Sequence, residues 1–467
     1  MKNEKTAGQL LQEQLCEKPK NSYEIMSQEE LQKAESFCED YKVFLDRAKT
    51  EREAVEAIIG MLKGAGYEEF VLGKKYAPGD KVYYNNRGKA LICATLGTEP
   101  LEQGVYIAAS HIDSPRLDLK PRPVYEDTEL ALFKTHYYGG IKKYQWTAIP
   151  LALHGVVIKR DGETVKVNIG EDEQDPIFCV TDLLPHLATE QSKRTLAEGV
   201  KGEELNILIG SRPFKDDKAS EKVKLNILSI LHEKYGMVES DFLSAELVLV
   251  PAFKAKDLGL DRSMIGAYGH DDRVCAYTSL MATLHCKAPK KTSVVIFADK
   301  EETGSEGNTG LDSRFLEYFI SDLAAPYGVE GRTVLQNSMC LSADVNVAFD
   351  PTFPDVVERR NTAYLNYGVV VTKYTGARGK SSTSDASAEF MGRVRSVLDQ
   401  AGVVWQTGEL GKVDFGGGGT VAKYIAGLSV DVVDVGVPVL SMHAPFEVVA
   451  KNDVYNTYRA FYEFLNQ

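Results

Sequence analysis

The sequence predicts an α/β fold, a central mixed sheet with flanking helices, into which a second, β-rich domain is inserted. Three observations predict it. Short apolar runs that read as strands alternate with stretches of helical period around residue 105 and again from about 270 to the C-terminus. Between about 117 and 262 this rhythm stops, and strand-like runs sit among charged loops. Residues of metal-ligand type stand just past the strand ends, where open α/β sheets have their crevice.

Ser27 with Glu30 and Thr50 with Glu53 are Ser/Thr-x-x-Glu capping signatures that open two N-terminal helices. The first carries Leu31, Ala34, Phe37, Tyr41, Phe44, Leu45 and Ala48 at helical period. The second carries Val55, Ile58, Ile59 and Leu62 before Gly64 and Gly66 stop it. Strands are predicted at 105–109, 293–298, 339–343 and 430–435, and helices at 273–286, 384–401 and 453–465. In the middle region, 154–159 and 164–169 alternate as strands without a βαβ rhythm. The α/β domain is therefore drawn as 1–116 joined to 263–467, and the insert as 117–262.

A chain of 467 residues exceeds one ordinary core and suits this division. The formal net charge of -13 argues against general affinity for nucleic acid or anionic membranes, which attract basic patches. No apolar run approaches the roughly 20 residues that span a bilayer. The N-terminal stretch MKNEKTAGQLLQEQL has no apolar core followed by a cleavage site, so no secretory signal is expected. Seven scattered cysteines with no Cys-x-x-Cys pair argue against a disulfide framework or a thiolate zinc knuckle and predict a reducing, cytoplasmic setting. Any metal must then be held by histidine and carboxylate.

Five segments supply such ligands. They are Ser110-His111-Ile112-Asp113-Ser114, Gly269-His270-Asp271-Asp272-Arg273, Asp299-Lys300-Glu301-Glu302-Thr303-Gly304, Asp344 after 339–343, and Ser441-Met442-His443. Zinc-type ions take imidazole nitrogen and carboxylate oxygen, and a pair of ions needs one carboxylate to bridge them. His111, Asp271, Glu302, Asp344 and His443 meet that requirement, with Asp271 as bridge at a helix start. Glu301, next to a ligand but not needed as one, is the expected general base for a water made acidic by the ions. Asp113 is expected to hydrogen-bond the His111 imidazole and fix its tautomer. His270, adjacent to the bridge, is expected to line the pocket, whereas His136, His154, His232 and His285 read as structural or surface residues.

These segments resemble the M18 metalloaminopeptidase family, the aspartyl aminopeptidase and aminopeptidase I type. The stretches that carry the resemblance are 110–117, Asp271-Asp272, Glu301-Glu302-Thr303-Gly304-Ser305, Ser342-Ala343-Asp344 and Ser441-Met442-His443. The resemblance implies a zinc-peptidase-like catalytic domain that binds two zincs through the residues above, cobalt or manganese being acceptable to the same donors. It also implies removal of single residues from peptide N-termini, an inserted dimerisation domain, and closed homo-oligomers of the tetrahedral dodecamer type. In such oligomers a histidine of a neighbouring subunit's insert helps hold the scissile carbonyl; Leu184-Pro185-His186-Leu187-Ala188 makes His186 the candidate.

The chain departs from the family pattern in three places. The N-terminal Ser-Pro-Ser motif is missing, the segment after Gly139-Gly140 carries a single tryptophan, Trp146, and 372–384 looks longer than its counterpart. Lys373 or Lys380 in that stretch would read an acidic substrate side chain, or else both sit in a solvated basic loop, so acidic and neutral N-terminal residues stay open. Gly416 to Gly419 lack the spacing of a phosphate loop. They fit better as backbone passing close to substrate, with Gly417 and Gly418 as binding candidates. A deacylase or carboxypeptidase on the same scaffold, or a non-catalytic assembly protein, are the alternatives; an intact Glu301 speaks against the last. No Gly-x-Ser-x-Gly elbow is present, which disfavours a serine hydrolase.

Overall fold

The computed structural model describes residues 5–376 and 378–467. Both N-terminal capping boxes form: Ser27 and Glu30 open the helix Gln28–Arg47, and Thr50 and Glu53 open Glu51–Gly64. Each satisfies two backbone donors that a helix start leaves open.

A nine-stranded mixed sheet forms the centre. Its middle strands, Ser293–Ala298, Tyr106–His111, Met339–Ala343 and Asp431–Gly436, are mutually parallel, and antiparallel strands extend both edges. Residues alternate between its faces. Ala108, Val295, Phe297, Leu341 and Val433 pack under the helices Gln28–Arg47, Glu51–Gly64, His270–His285, Ala388–Ala401 and Lys451–Leu465. Ile107, Ala109, Val294, Ile296 and Val432 pack on the opposite face against Phe315–Ala324, Gly331–Gln336 and Ala422–Ala426. Because both faces are covered, the strands read as continuous apolar runs rather than alternating ones. The expected helix at 384–401 starts later, at Ala388, because Ser387 caps it by accepting from the Phe390 N–H.

The stretch expected as an insert carries a separate, fully antiparallel seven-stranded sheet running from Arg116 to Pro251. Leu117, Phe133, Trp146, Leu153, Phe242 and Leu249 form its own core. The two expected strands are Leu151–Ile158 and Thr164–Ile169, paired antiparallel. Lys256–Leu258, drawn within 117–262, instead pairs with Met264–Ala267 in a third, five-stranded sheet. That sheet also holds Pro438–Leu440 and Glu447–Ala450. The chain thus leaves the central sheet after Gly436 and enters this small sheet, which presents His443 from the loop between its last two strands.

Candidate metal centre

Register brings the ligands together. Ala298 pairs with His111 and Ser342 with Ala109, so Glu301, His111 and Asp344 all follow the carboxyl ends of neighbouring parallel strands. The turn after Ala298 passes through Lys300 in the left-handed region (φ 72°), which swings the backbone N–H groups of Glu301 and Glu302 onto the Asp113 carboxylate, 3.2 Å each. Ser441 and His443 are left-handed as well, with φ of 58° and 64°. Non-glycine residues in that region cost about 1–3 kcal/mol each, so surrounding bonds must hold them.

Asp271 is the centre of the cluster. His111 Nε2 lies 3.2 Å from its Oδ1, and His443 Nε2 lies 3.1 Å from its Oδ2. Asp344 comes within 3.9 Å of His111, and Glu302 within 3.5 Å of His443. His111, Asp271 and Asp344 form one group of candidate ligands, and Asp271, Glu302 and His443 another, the atoms of each within 4.8 Å of one another. Glu301 stands 3.9 Å from His111 Nε2, and its side chain is 18% exposed against 3% for Glu302. Of the two neighbours, Glu301 is the one that reaches the cleft.

The ring tautomers follow from the opposite nitrogens. His111 Nδ1 lies 3.0 Å from the Asp113 carbonyl oxygen, and His443 Nδ1 lies 2.9 Å from that of Gly140. A carbonyl only accepts, so each ring keeps a proton on Nδ1 and turns Nε2 toward the carboxylates. Between Nε2 and a carboxylate oxygen there must be a proton or a cation. The tautomer of His111 is thus set chiefly by the backbone carbonyl of Asp113, whereas its carboxylate, 3.4 Å from the ring, mainly accepts from Glu301, Glu302 and Tyr138.

Charge in this cluster is unbalanced. Burial, then repulsion from Asp113 and Asp271 against the pull of His111, leaves the Glu301 carboxyl at about 7. Burial and Asp271 hold Glu302 well above the carboxylate range, and burial with Asp272 and Glu301 does the same to Asp344. Burial opposes charging of His443, yet Asp271 and Glu302 overcome it and raise the ring to about 10. Glu302 Oε1 is buried without a hydrogen-bond partner among the described residues. Unpaired buried carboxylate oxygens are expensive, and imidazole with carboxylate and no thiolate is a donor set for zinc-type divalent ions. The residues fit such a cation.

Glu447 was not anticipated. Its buried carboxylate accepts the Asp271 N–H at 3.0 Å and the His443 N–H at 2.7 Å, tying the central aspartate to the last histidine. Its one sequence signal is an acidic residue heading the apolar run Val448-Val449-Ala450. Asp272 Oδ2 accepts from the His111 N–H, and Ser114 Oγ donates to the Asp271 carbonyl.

One expectation needs correction. His270 does not line the pocket: it is wholly buried, with Nδ1 2.8 Å from the Tyr41 hydroxyl and Nε2 3.2 Å from the Ile265 carbonyl. Lys373 and Lys380 both pair with Asp385, and the Gly418 carbonyl accepts the Gly376 N–H. The structure therefore joins the basic loop to the Gly417–Gly418 loop and does not bring Lys373, Gly417 or Gly418 into the ligand cluster. His186 is exposed on the short turn Pro185–Leu187 of the second sheet's region.

Fold and site together define a metallohydrolase built on an α/β sheet. Residues 44–465 match the family described as aminopeptidase I zinc metalloprotease (M18). A probable M18 family aminopeptidase 1 of Clostridium acetobutylicum is 50% identical over 460 residues, covering 97% of this chain and 99% of that protein. The crystal structure of an M18 family aminopeptidase from Thermotoga maritima superposes with a TM-score of 0.92 at 45% identity, covering 96% of this chain and 99% of that one. At 21% identity and a TM-score of 0.73, the mApe1 dodecamer of S. cerevisiae shares the fold, over 92% of this chain and 95% of that one. The chain belongs to the M18 family of zinc metalloaminopeptidases and is a metal-dependent aminopeptidase.

Proposed function

We propose that this aminopeptidase removes the N-terminal residue of peptides at a pair of divalent cations that Asp271 would hold in common, with Glu301 as proton shuttle. The observation that carries the reading is the Asp271 carboxylate, whose two oxygens each face a different imidazole Nε2 at 3.1–3.2 Å. His111 and Asp344 would complete one position, and Glu302 and His443 the other. When bound, the cations polarise the scissile carbonyl and lower the pKa of the attacking water. Zinc is the ion this donor set favours, with cobalt or manganese able to substitute.

The chain's own residues supply the rest. Glu301 Oε1 or Oε2 takes the water proton and delivers it to the departing amide nitrogen. In the ion-free site burial raises its pKa to about 7, and bound cations would lower it, favouring the carboxylate form that accepts a proton. Asp113 fixes the shuttle by accepting the Glu301 N–H, so the carboxylate keeps its place at the cluster's open side. The cations would also hold the substrate's free N-terminal amine, whose lone pair an acylated N-terminus does not offer.

The exposure of His186 supports its action in a neighbouring subunit, and the dodecameric relative supports closed assembly of this chain. Arg116–Pro251 is then the region that mediates dimer contacts. Seven cysteines, none in a disulfide, support a reducing cytoplasm as its setting. Paired chromogenic substrates, one with a free and one with an acetylated N-terminus, test the reading alongside metal analysis. Cleavage of the free substrate only, with two ions per chain, is expected. Equal cleavage of both would remove the aminopeptidase geometry, and a single ion would remove the bridge.

A further inference from the structure

The hairpin that carries the chain away from the metal centre also returns to it. Strand Arg116–Asp127 begins three residues after Asp113, and its partner Leu130–Tyr138 brings Tyr138 back opposite Arg116. The Tyr138 hydroxyl donates to Asp113 Oδ2 at 2.8 Å. Two residues on, the Gly140 carbonyl accepts His443 Nδ1–H at 2.9 Å. Between them Gly139 lies so close that a Cβ there would stand 3.1 Å from Glu302 Oε2, and its φ of +78° disfavours any side chain. One short segment of the second sheet therefore touches Asp113 and His443, on opposite sides of Asp271.

The segment is itself anchored. The Arg116 guanidinium lies 4.0 Å over the Tyr138 ring. That guanidinium is buried and pairs with Glu51 at 3.0 Å, from the first turn of Glu51–Gly64, and with Asp118 at 2.8 Å. Lys89 joins the same group within 3.6 Å of Glu51. Buried charge pairs with several partners hold one geometry, because removing any member strands the others. Tyr138 is thus clamped from behind by Arg116 of the second sheet, itself held by Glu51 of a helix on the central sheet, while its hydroxyl points at the site.

We propose that Tyr138 is a positioning residue of the metal centre, and that the second sheet acts on catalysis through Tyr138 and the Gly140 carbonyl. Tyr138 orients Asp113, which in turn holds the backbone of Glu301 and Glu302 and faces the His111 ring. Gly140 fixes the His443 tautomer. A shift of this hairpin would disturb both cation positions at once, so the arrangement of the second sheet governs how well the site is formed. The proposal rests on the two-cation reading.

The test is Tyr138→Phe in the full chain, which keeps the ring under Arg116 and deletes only the hydroxyl. Zinc affinity of the ion-free protein, measured by competition with a chromophoric chelator, should weaken by about 10-fold or more. The kcat should fall by a similar factor of roughly 10 with KM little changed and the melting temperature of the ion-free protein unaltered. In Gly140→Ala, whose Cβ would sit 3.3 Å from His443 Nδ1, the cobalt-loaded absorption spectrum should change. Wild-type zinc affinity and kcat in Tyr138→Phe would overturn the proposal, as would a melting temperature lowered in step with activity. A zinc count other than two in the unaltered protein would instead remove the two-cation reading, and the affinity comparison would still decide on Tyr138.

Discussion

His111 and His443 face opposite oxygens of one carboxylate, Nε2 to Oδ1 at 3.2 Å and Nε2 to Oδ2 at 3.1 Å, with Asp271 between them. They are separated by 332 residues of chain, 443 − 111, and they arrive from different sheets. Strand register, Glu447 and the hydrogen bonds behind each ring bring them to this spacing around Asp271.

A proton or a cation must occupy the gap beside each Nε2, and this makes metal binding a proton-releasing reaction. In the ion-free protein His443 is raised to about 10, burial opposing and Asp271 and Glu302 prevailing, so it carries a proton at pH 7. Glu302 is held well above the usual carboxylate range, first by burial and then by Asp271. Loading zinc at pH 7 should expel the His443 proton, and affinity should fall as pH falls. Calorimetry in buffers of different ionisation heat measures this. Binding heat that does not depend on the buffer would exclude it. Chelation should abolish turnover and zinc should restore it.

Glu301 separates chemistry from binding. Its carboxylate is the more exposed of the two adjacent glutamates, and its backbone N–H is held by Asp113. Glu301→Gln keeps the shape and the hydrogen bond to Asp113 but cannot take a proton. The kcat is expected to drop by roughly 10²–10⁴-fold, the range of general acid–base catalysis, with zinc content unchanged. Elemental analysis beside steady-state kinetics decides it; full turnover in the variant would transfer the proton-shuttle role elsewhere.

The ligand-bearing strands were legible because burial on both faces makes each a continuous apolar run, and the caps of the N-terminal helices because a capping box is local. Residues that act through space were not. Glu447 sits on a four-residue strand whose partners, Met264–Ala267 and Pro438–Leu440, are equally short and distant in sequence. Tyr138 ends a hairpin whose return to the site depends on register with Arg116. His270 misled by adjacency: Asp271 has φ -80° and ψ 106°, and in such extended backbone successive side chains point to opposite sides. When Asp271 faces the cleft, His270 faces Tyr41 in the core.

Glu447 should matter for metal affinity without touching a metal. It accepts two backbone N–H groups, those of Asp271 and His443, and so sets the distance between the central aspartate and the last histidine. Glu447→Gln retains one acceptor oxygen and turns an NH₂ group against the other N–H. Supporting bonds of this kind are typically worth about 10–100-fold in metal affinity or activity. A loss in that range is expected for zinc affinity in a chelator competition. An unchanged affinity would mean that the ligands hold their spacing without it.

The same carboxylates make the ion-free protein sensitive to alkali. Burial first, then Asp271, raises Glu447 to about 8, and burial likewise raises Asp453 to about 8 and leaves Glu301 near 7. In each case the folded state holds a proton that the unfolded chain gives up near pH 4–4.5, about the ordinary carboxylate value. His443, at about 10, keeps its proton above the ordinary imidazole value as well. The folded state therefore binds more protons than the unfolded one across the neutral range, and stability falls as pH rises through these folded values. His270, lowered to about 3 by burial, works the other way, but only below its ordinary value near 6.5. From pH 6.5 to 8 the ion-free protein should lose melting temperature steadily. Zinc takes the place of the proton on His443, so the loaded protein should show a flatter profile over the same interval. Differential scanning calorimetry of both forms measures the contrast, and parallel profiles would show that these groups are not proton-loaded in the folded state.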